Sequence, residues 1–229
     1  MIDNKAADLK TLGTDLDQPE AARNDGSDRI IYRIAFVLTA VGSVVGQLHA
    51  LARQATPDGQ HDLDSPLTRA WAVPAAHAVR PPLDWSDPLT VYINYGRVWL
   101  PVFVAGLLCA LVVHRRRQAR GVERVAWWLT LGAFGLVTLS VVGDYFTPWM
   151  DQAFMIGVGA MTIFLAATTL LGAMLIKNRF RPRVTAVIMV AQLPLFLMIT
   201  SVTSLGSTFL PFLWAIVIAA HRMLRRQSS

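Results

Sequence analysis

Two apolar runs, residues 125–142 and 153–176, constrain this chain more than anything else in it. Neither contains a charge and each is at least 18 residues long. That is enough to cross a hydrocarbon core of about 30 Å at roughly 1.5 Å per residue. Arg115, Arg116, Arg117, Arg120 and Arg124 precede the pair, and Lys177, Arg179, Arg181 and Arg183 follow it. The polar turn between the runs, 143–152, has no basic residue. Because basic residues favour the cytoplasmic side, the open ends of this hairpin are expected inside and its turn outside.

Composition agrees with lipid contact. Charged residues make up 16% of the 229 and apolar ones 54%, against about a quarter charged in soluble domains. The net charge of +6 would suit nucleic acid, but the cations cluster at the ends of apolar runs. Orientation and anionic headgroups account for them better, and nucleic-acid binding is not expected. Arginine outnumbers lysine 18 to 3, a bias that hints at a GC-rich bacterial genome and so a bacterial plasma membrane. A single cysteine, Cys109, excludes an intrachain disulfide, thiol redox pairs and cysteine-rich metal centres.

Along the chain, residues 1–28 hold seven acids and no apolar period, the pattern of a disordered acidic cytoplasmic tail. Spans are expected at about 30–51, 91–113, 125–142, 153–176, 184–200 and 205–220, followed by a short tail at 227–229. The stretch 184–220 would reach about 55 Å as one helix, too long for a single straight crossing, so it is divided near the hydroxyl-rich 200–207. Ala50-Leu51-Ala52 matches a signal-peptidase site, but the long acidic leader favours an uncleaved anchor. Gly42 and Gly46 form a small-xxx-small pair for close helix contact, within the bundle or in a homodimer. The fold expected is an all-α integral membrane protein, a bundle of six transmembrane helices with both termini cytoplasmic.

Residues 52–90 carry half of the 12 prolines and form the longest polar segment, too long for a mere connector. Ser65-Pro66 reads as an N-cap and first helical position, opening a short helix through Trp71. The segment is expected to lie on the outer surface.

Chemistry is harder to find. The centres of all the expected spans lack Asp, Glu, Lys and His, which argues against a proton-coupled pump or a Schiff-base lysine. His49, His114 and His221 sit at span ends, a poor arrangement for haem, and no motif calls for a cofactor. One candidate is a polar pathway at Gln192 and Pro194, continued by Thr200, Ser201, Thr203 and Ser204; Pro194 frees a backbone carbonyl there. Interhelical hydrogen bonding by Gln192 is the blander account. The other candidate lies on the outer face: Asp144, alone or paired with Arg97, together with His61, Asp62, Asp64 and His77. Their spacing matches no metal motif, so no metal site is expected and solvated loop charges are the plainer reading.

Three functions follow. A non-catalytic accessory or scaffold subunit fits the uncharged spans best, with the bilayer and a membrane-protein partner or a second copy as its contacts. A small transporter or channel for a neutral or weakly polar solute would use Gln192. An outer-face membrane enzyme would use Asp144 and the loop histidines.

Overall fold

The computed structural model describes residues 25–225. The expected disordered tail falls outside it except for residues 25–28, and so does the 227–229 tail. Among the described residues the chain is all helical. Helix α1 (Asp25–Gln54) runs the length of the bundle. A 3-10 turn (Asp58–Asp64), α2 (Pro66–Ala78) and α3 (Pro88–Arg97) follow, and α3 passes almost directly into α4 (Trp99–Arg117). The long hairpin is α5 (Gly121–Phe146) and α6 (Met150–Lys177). Two short helices, α7 (Arg183–Val190) and α8 (Gln192–Thr200), then lead through a second 3-10 turn (Leu205–Phe209) into α9 (Leu210–Arg225). Among the described residues five helical segments are long and apolar enough to cross a membrane, or six if α7 and α8 form one broken span. That fits a multi-pass membrane protein.

Local chemistry explains the boundaries. Ser65 caps α2, its hydroxyl accepting from the Thr68 N–H, with Pro66 in the first turn. The helix continues through Pro74 to Ala78, longer than the sequence suggests. Asp87 caps α3 by accepting from the Thr90 N–H at 3.0 Å. Hydrogen bonds from the Thr90 side chain and backbone hold its carboxyl below the usual carboxylate range. Helix α4 stops where Gln118 turns left-handed, and α5 starts at Gly121 with φ +55°.

The break in the fifth span has a clear cause. Pro194 has no N–H to give the Val190 carbonyl, and α7 and α8 meet at Ala191 with a bend of 59°. On α6, a Cβ added at Gly172 would stand 2.5 Å from the Val190 backbone nitrogen. Only glycine lets α6 approach the broken ladder that closely.

The core lies midway along the bundle. Phe103 of α4, Phe134 of α5, Phe164 of α6, Phe209 of the second 3-10 turn and Phe212 of α9 interlock with ring centroids 4.9 to 5.8 Å apart. All five rings are buried. Helix α9 is central, whereas α1 and α6 expose more of their apolar length than they bury.

The end of the bundle that carries most of the arginines is tied by charge. Asp28 accepts from both Arg115 and Arg116, and Asp25 from Arg116, which fastens α1 to α4. Glu123 accepts from Arg117 at 2.8 and 3.2 Å and also from Asn178, which fastens the α4–α5 turn to the end of α6. This departs from the sequence reading, in which the arginine run meets lipid headgroups and Asp28 belongs to a solvated tail. The acids at 25 and 28 fall on the face of α1 that packs on α4 and engage Arg115 and Arg116, and Glu123 of α5 engages Arg117, so three of the arginines serve carboxylates of the bundle.

Candidate functional site: a histidine–tyrosine–tryptophan network at the opposite end

A polar constellation inside the bundle is one that the sequence does not announce, where His49 reads only as a span end poorly placed for haem. It centres on His49, buried in the last turns of α1. The Trp99 indole nitrogen lies 3.4 Å from its Nδ1. The Tyr145 hydroxyl lies 3.1 Å from its Nε2. The Tyr92 ring stacks on the imidazole with centroids 4.6 Å apart and planes 15° from parallel. The Tyr92 and Tyr145 hydroxyls are 3.4 Å apart.

Donor chemistry gives this network a direction. An indole N–H can only donate, so His49 Nδ1 accepts and is unprotonated. The ring proton then sits on Nε2 and is donated to the Tyr145 oxygen, which leaves the Tyr145 hydroxyl proton for Tyr92. The chain Trp99 to His49 to Tyr145 to Tyr92 is neutral and joins α4, α1, α5 and α3. Protonated His49 would set two donors against each other at Trp99.

Glycines make room for these rings. A Cβ at Gly96 would stand 2.1 Å from the Tyr145 ring, and one at Gly206 would stand 2.4 Å from Trp99. At Gly46 it would meet Trp99 at 2.9 Å and the Ser207 hydroxyl at 3.0 Å. Gly42, one turn away, faces Val102 at 3.1 Å. The Gly42 and Gly46 pair therefore packs against α4 within the chain, and the homodimer face considered for it is not needed.

The other expected residues lie elsewhere. Arg97 reaches the last turn of α5, but it donates to the Tyr145 carbonyl at 3.2 Å and to Asn94 Oδ1 at 3.0 Å and lies over the Phe146 ring. The expected partner, Asp144, is not among its contacts. Because α5 stays helical through Phe146, its terminal carbonyls are open to a cation there. Asp144 is partly buried in the last turn of α5 and forms no ion pair among the described residues. Asp62 accepts from Arg53 at 2.8 Å, while His61 and Asp64 stand 3.8 Å apart and well exposed. His77 is exposed in the last turn of α2. These side chains do not assemble around one point. Among the described residues no group of three His, Cys, Asp or Glu could hold a metal ion.

Gln192, 1% exposed, donates to the Thr208 carbonyl at 2.7 Å, while its Oε1 has no partner among the described residues. Above it, Thr200 bonds the Phe196 carbonyl and Ser201 the Met198 carbonyl. Thr203 reaches the Ser204 carbonyl, and Ser204 pairs with Ser207. The hydroxyls are thus taken up by the local backbone and by each other. Pro194 bends the helix and contributes no polar atom.

The signal that could have found the network is a shared face. Tyr92, Gly96 and Trp99 stand at i, i+4 and i+7 across the nearly continuous α3–α4, and Gly46 and His49 at i and i+3. Compared with protein-family models, curated proteins and solved structures, the chain matches none, so its function is argued from its own residues.

Proposed function

We propose that this chain is a non-catalytic accessory or scaffold subunit in a bacterial plasma membrane, crossing it six times with both termini in the cytoplasm. The observation that carries the proposal is the closed middle of the bundle: five interlocked phenylalanines occupy the level at which a solute pathway or an intramembrane catalyst would need space or charge. The His49 network and the hydroxyls of Thr200, Ser201, Thr203 and Ser204 are taken up among themselves or by local backbone. Such a bundle has the rigidity of a platform and lacks the reactive groups of an enzyme.

Six crossings are supported by the course of α7 and α8. They leave from the arginine-rich end, where Asn178 bonds Glu123, and arrive at the far end, where the Ser201 carbonyl accepts from Thr68 of α2. The broken pair thus connects the two ends. An even number of crossings with cations concentrated at one end supports a reading in which that end, and both termini, lie inside. Membrane solubilisation in mild detergent, capture on a tag and mass spectrometry test the role. A stoichiometric membrane partner is expected, and recovery of the chain alone with no such partner overturns the subunit reading.

One observation favours the transport alternative: the unpartnered Gln192 Oε1 in an apolar surround. Uptake into liposomes decides it. A scaffold moves no solute with or without Gln192→Leu, whereas a carrier moves one and loses it in the variant.

A further inference from the structure

At the arginine-rich end, the turn between α4 and α5 borders an open groove of about 320 Å³ lined by His114, Arg115, Gln118, Ala119, Arg120 and Arg124. This is within the size range of small-ligand sites. Its charge is not matched within the protein. Arg115, Arg116 and Arg117 all have carboxylate partners in Asp25, Asp28 and Glu123. Arg120 and Arg124 have none among the described residues. The cations that line the groove beyond Arg115 are therefore without a carboxylate among the described residues.

One further feature points to an oxyanion. Helix α5 begins beside the groove, with Arg120 at its N-cap position and no side chain capping its first N–H groups. Those amides and the helix dipole favour negative charge. Glu123 lies in the same first turn, but both its oxygens are engaged by Arg117 and Asn178.

We propose that this groove binds the phosphate of an anionic ligand, with Arg120 and Arg124 as its principal contacts and the first turn of α5 completing the cradle. At the end of a membrane bundle such a phosphate comes from an anionic lipid headgroup or from free phosphate in the adjoining water. The site is independent of the subunit reading and of the number of crossings.

Delipidated protein in neutral detergent, titrated separately with short-chain phosphatidylglycerol and with inorganic phosphate and read by native mass spectrometry, tests it. One saturable equivalent is expected. Arg120→Gln with Arg124→Gln should weaken it about tenfold, the scale of losing charge-assisted bonds. Lys177→Gln with Arg183→Gln removes equal charge from the same end and should change it less than about twofold. Saturation by phosphatidylglycerol that phosphate does not displace assigns the lipid source; one-ion binding of phosphate that displaces the lipid assigns the free ion. Equal weakening by the two double variants, or no saturable binding of either probe, overturns the proposal. Unfolding temperature in the same detergent confirms that each variant is folded when its binding is read.

Discussion

The two ends of this bundle hold the same helices together by opposite means. At one end Asp25 and Asp28 fasten α1 to α4 through Arg115 and Arg116, and Glu123 gathers Arg117 and Asn178. At the other, His49, Tyr92, Trp99 and Tyr145 join α1, α3, α4 and α5 with neutral donors and acceptors seated against glycines. Charge is available at the first end because orientation in a membrane concentrates cations there. Once they are present and partly buried, carboxylates are needed to keep them from being isolated in low dielectric. The second end has few cations, so its polar contacts are dipoles and its stability depends on how closely the rings fit. A charge latch tolerates loose packing and fails when a partner is removed. A ring network tolerates modest polar change and fails when its fit is disturbed.

The largest effect should come from breaking the charge latch. Asp28 is 3% exposed and Arg116 14%, so Asp28→Ala takes a buried carboxylate away from a mostly buried guanidinium. Removing one partner of a buried pair costs about 3–5 kcal/mol. The variant should lose about 3 kcal/mol in reversible unfolding from mild detergent, and salt should restore little of it. A loss below about 1 kcal/mol would class the latch with ordinary surface pairs.

The ring end should respond to volume. Gly96→Ala puts a methyl where the Tyr145 ring now lies, at 2.1 Å, and overpacking of this kind costs about 1–3 kcal/mol. Gly159→Ala on α6 is the matched control, since nothing lies within 4 Å of its Cβ position; replacing a mid-helix glycine should be neutral or stabilising by up to about 1 kcal/mol. Should both variants unfold alike, the fit around His49 contributes nothing special and the contrast between the ends fails.

The same contrast explains what the sequence made legible. Span positions depend on long uncharged runs, and those are local, so the apolar helices fall within a few residues of expectation. The ties between helices depend on which faces meet. Asp28 reads as tail until α1 is seen to place it against Arg115 and Arg116. His49 reads as a span end until Tyr92, Trp99 and Tyr145 converge on it from three other helices. Asp144 and Arg97 both reach the right end, but helix continuing to Phe146 turns the carboxylate away and offers Arg97 a carbonyl. Pro194 announced an opened ladder, and the bend at Ala191 follows from it. Its size could not be read, because that depends on how closely α6 approaches at Gly172.

The smallest effect should come from the segment that covers the ring end. Helix α2 is hooked to the turn after α8 by two bonds: the Trp71 indole donates to the Val202 carbonyl at 2.8 Å and the Thr68 hydroxyl to the Ser201 carbonyl at 3.1 Å. Each is a neutral bond at the rim of the bundle, worth about 1 kcal/mol. Trp71→Phe should therefore hardly change global unfolding, because the core phenylalanines and the His49 network remain intact. Its effect should be local, since elements held by few contacts open at less than the global cost. Amide exchange in residues 66–78 should quicken roughly fivefold, the factor that about 1 kcal/mol gives, while α5 exchanges as before. Faster exchange in α5 as well would mean that the cap and the ring network open together, and the neutral end would then be one cooperative unit. Unchanged exchange in both would mean that the indole bond is replaced by water at no cost, leaving Thr68 and the packing of α2 on α1 to hold the cap.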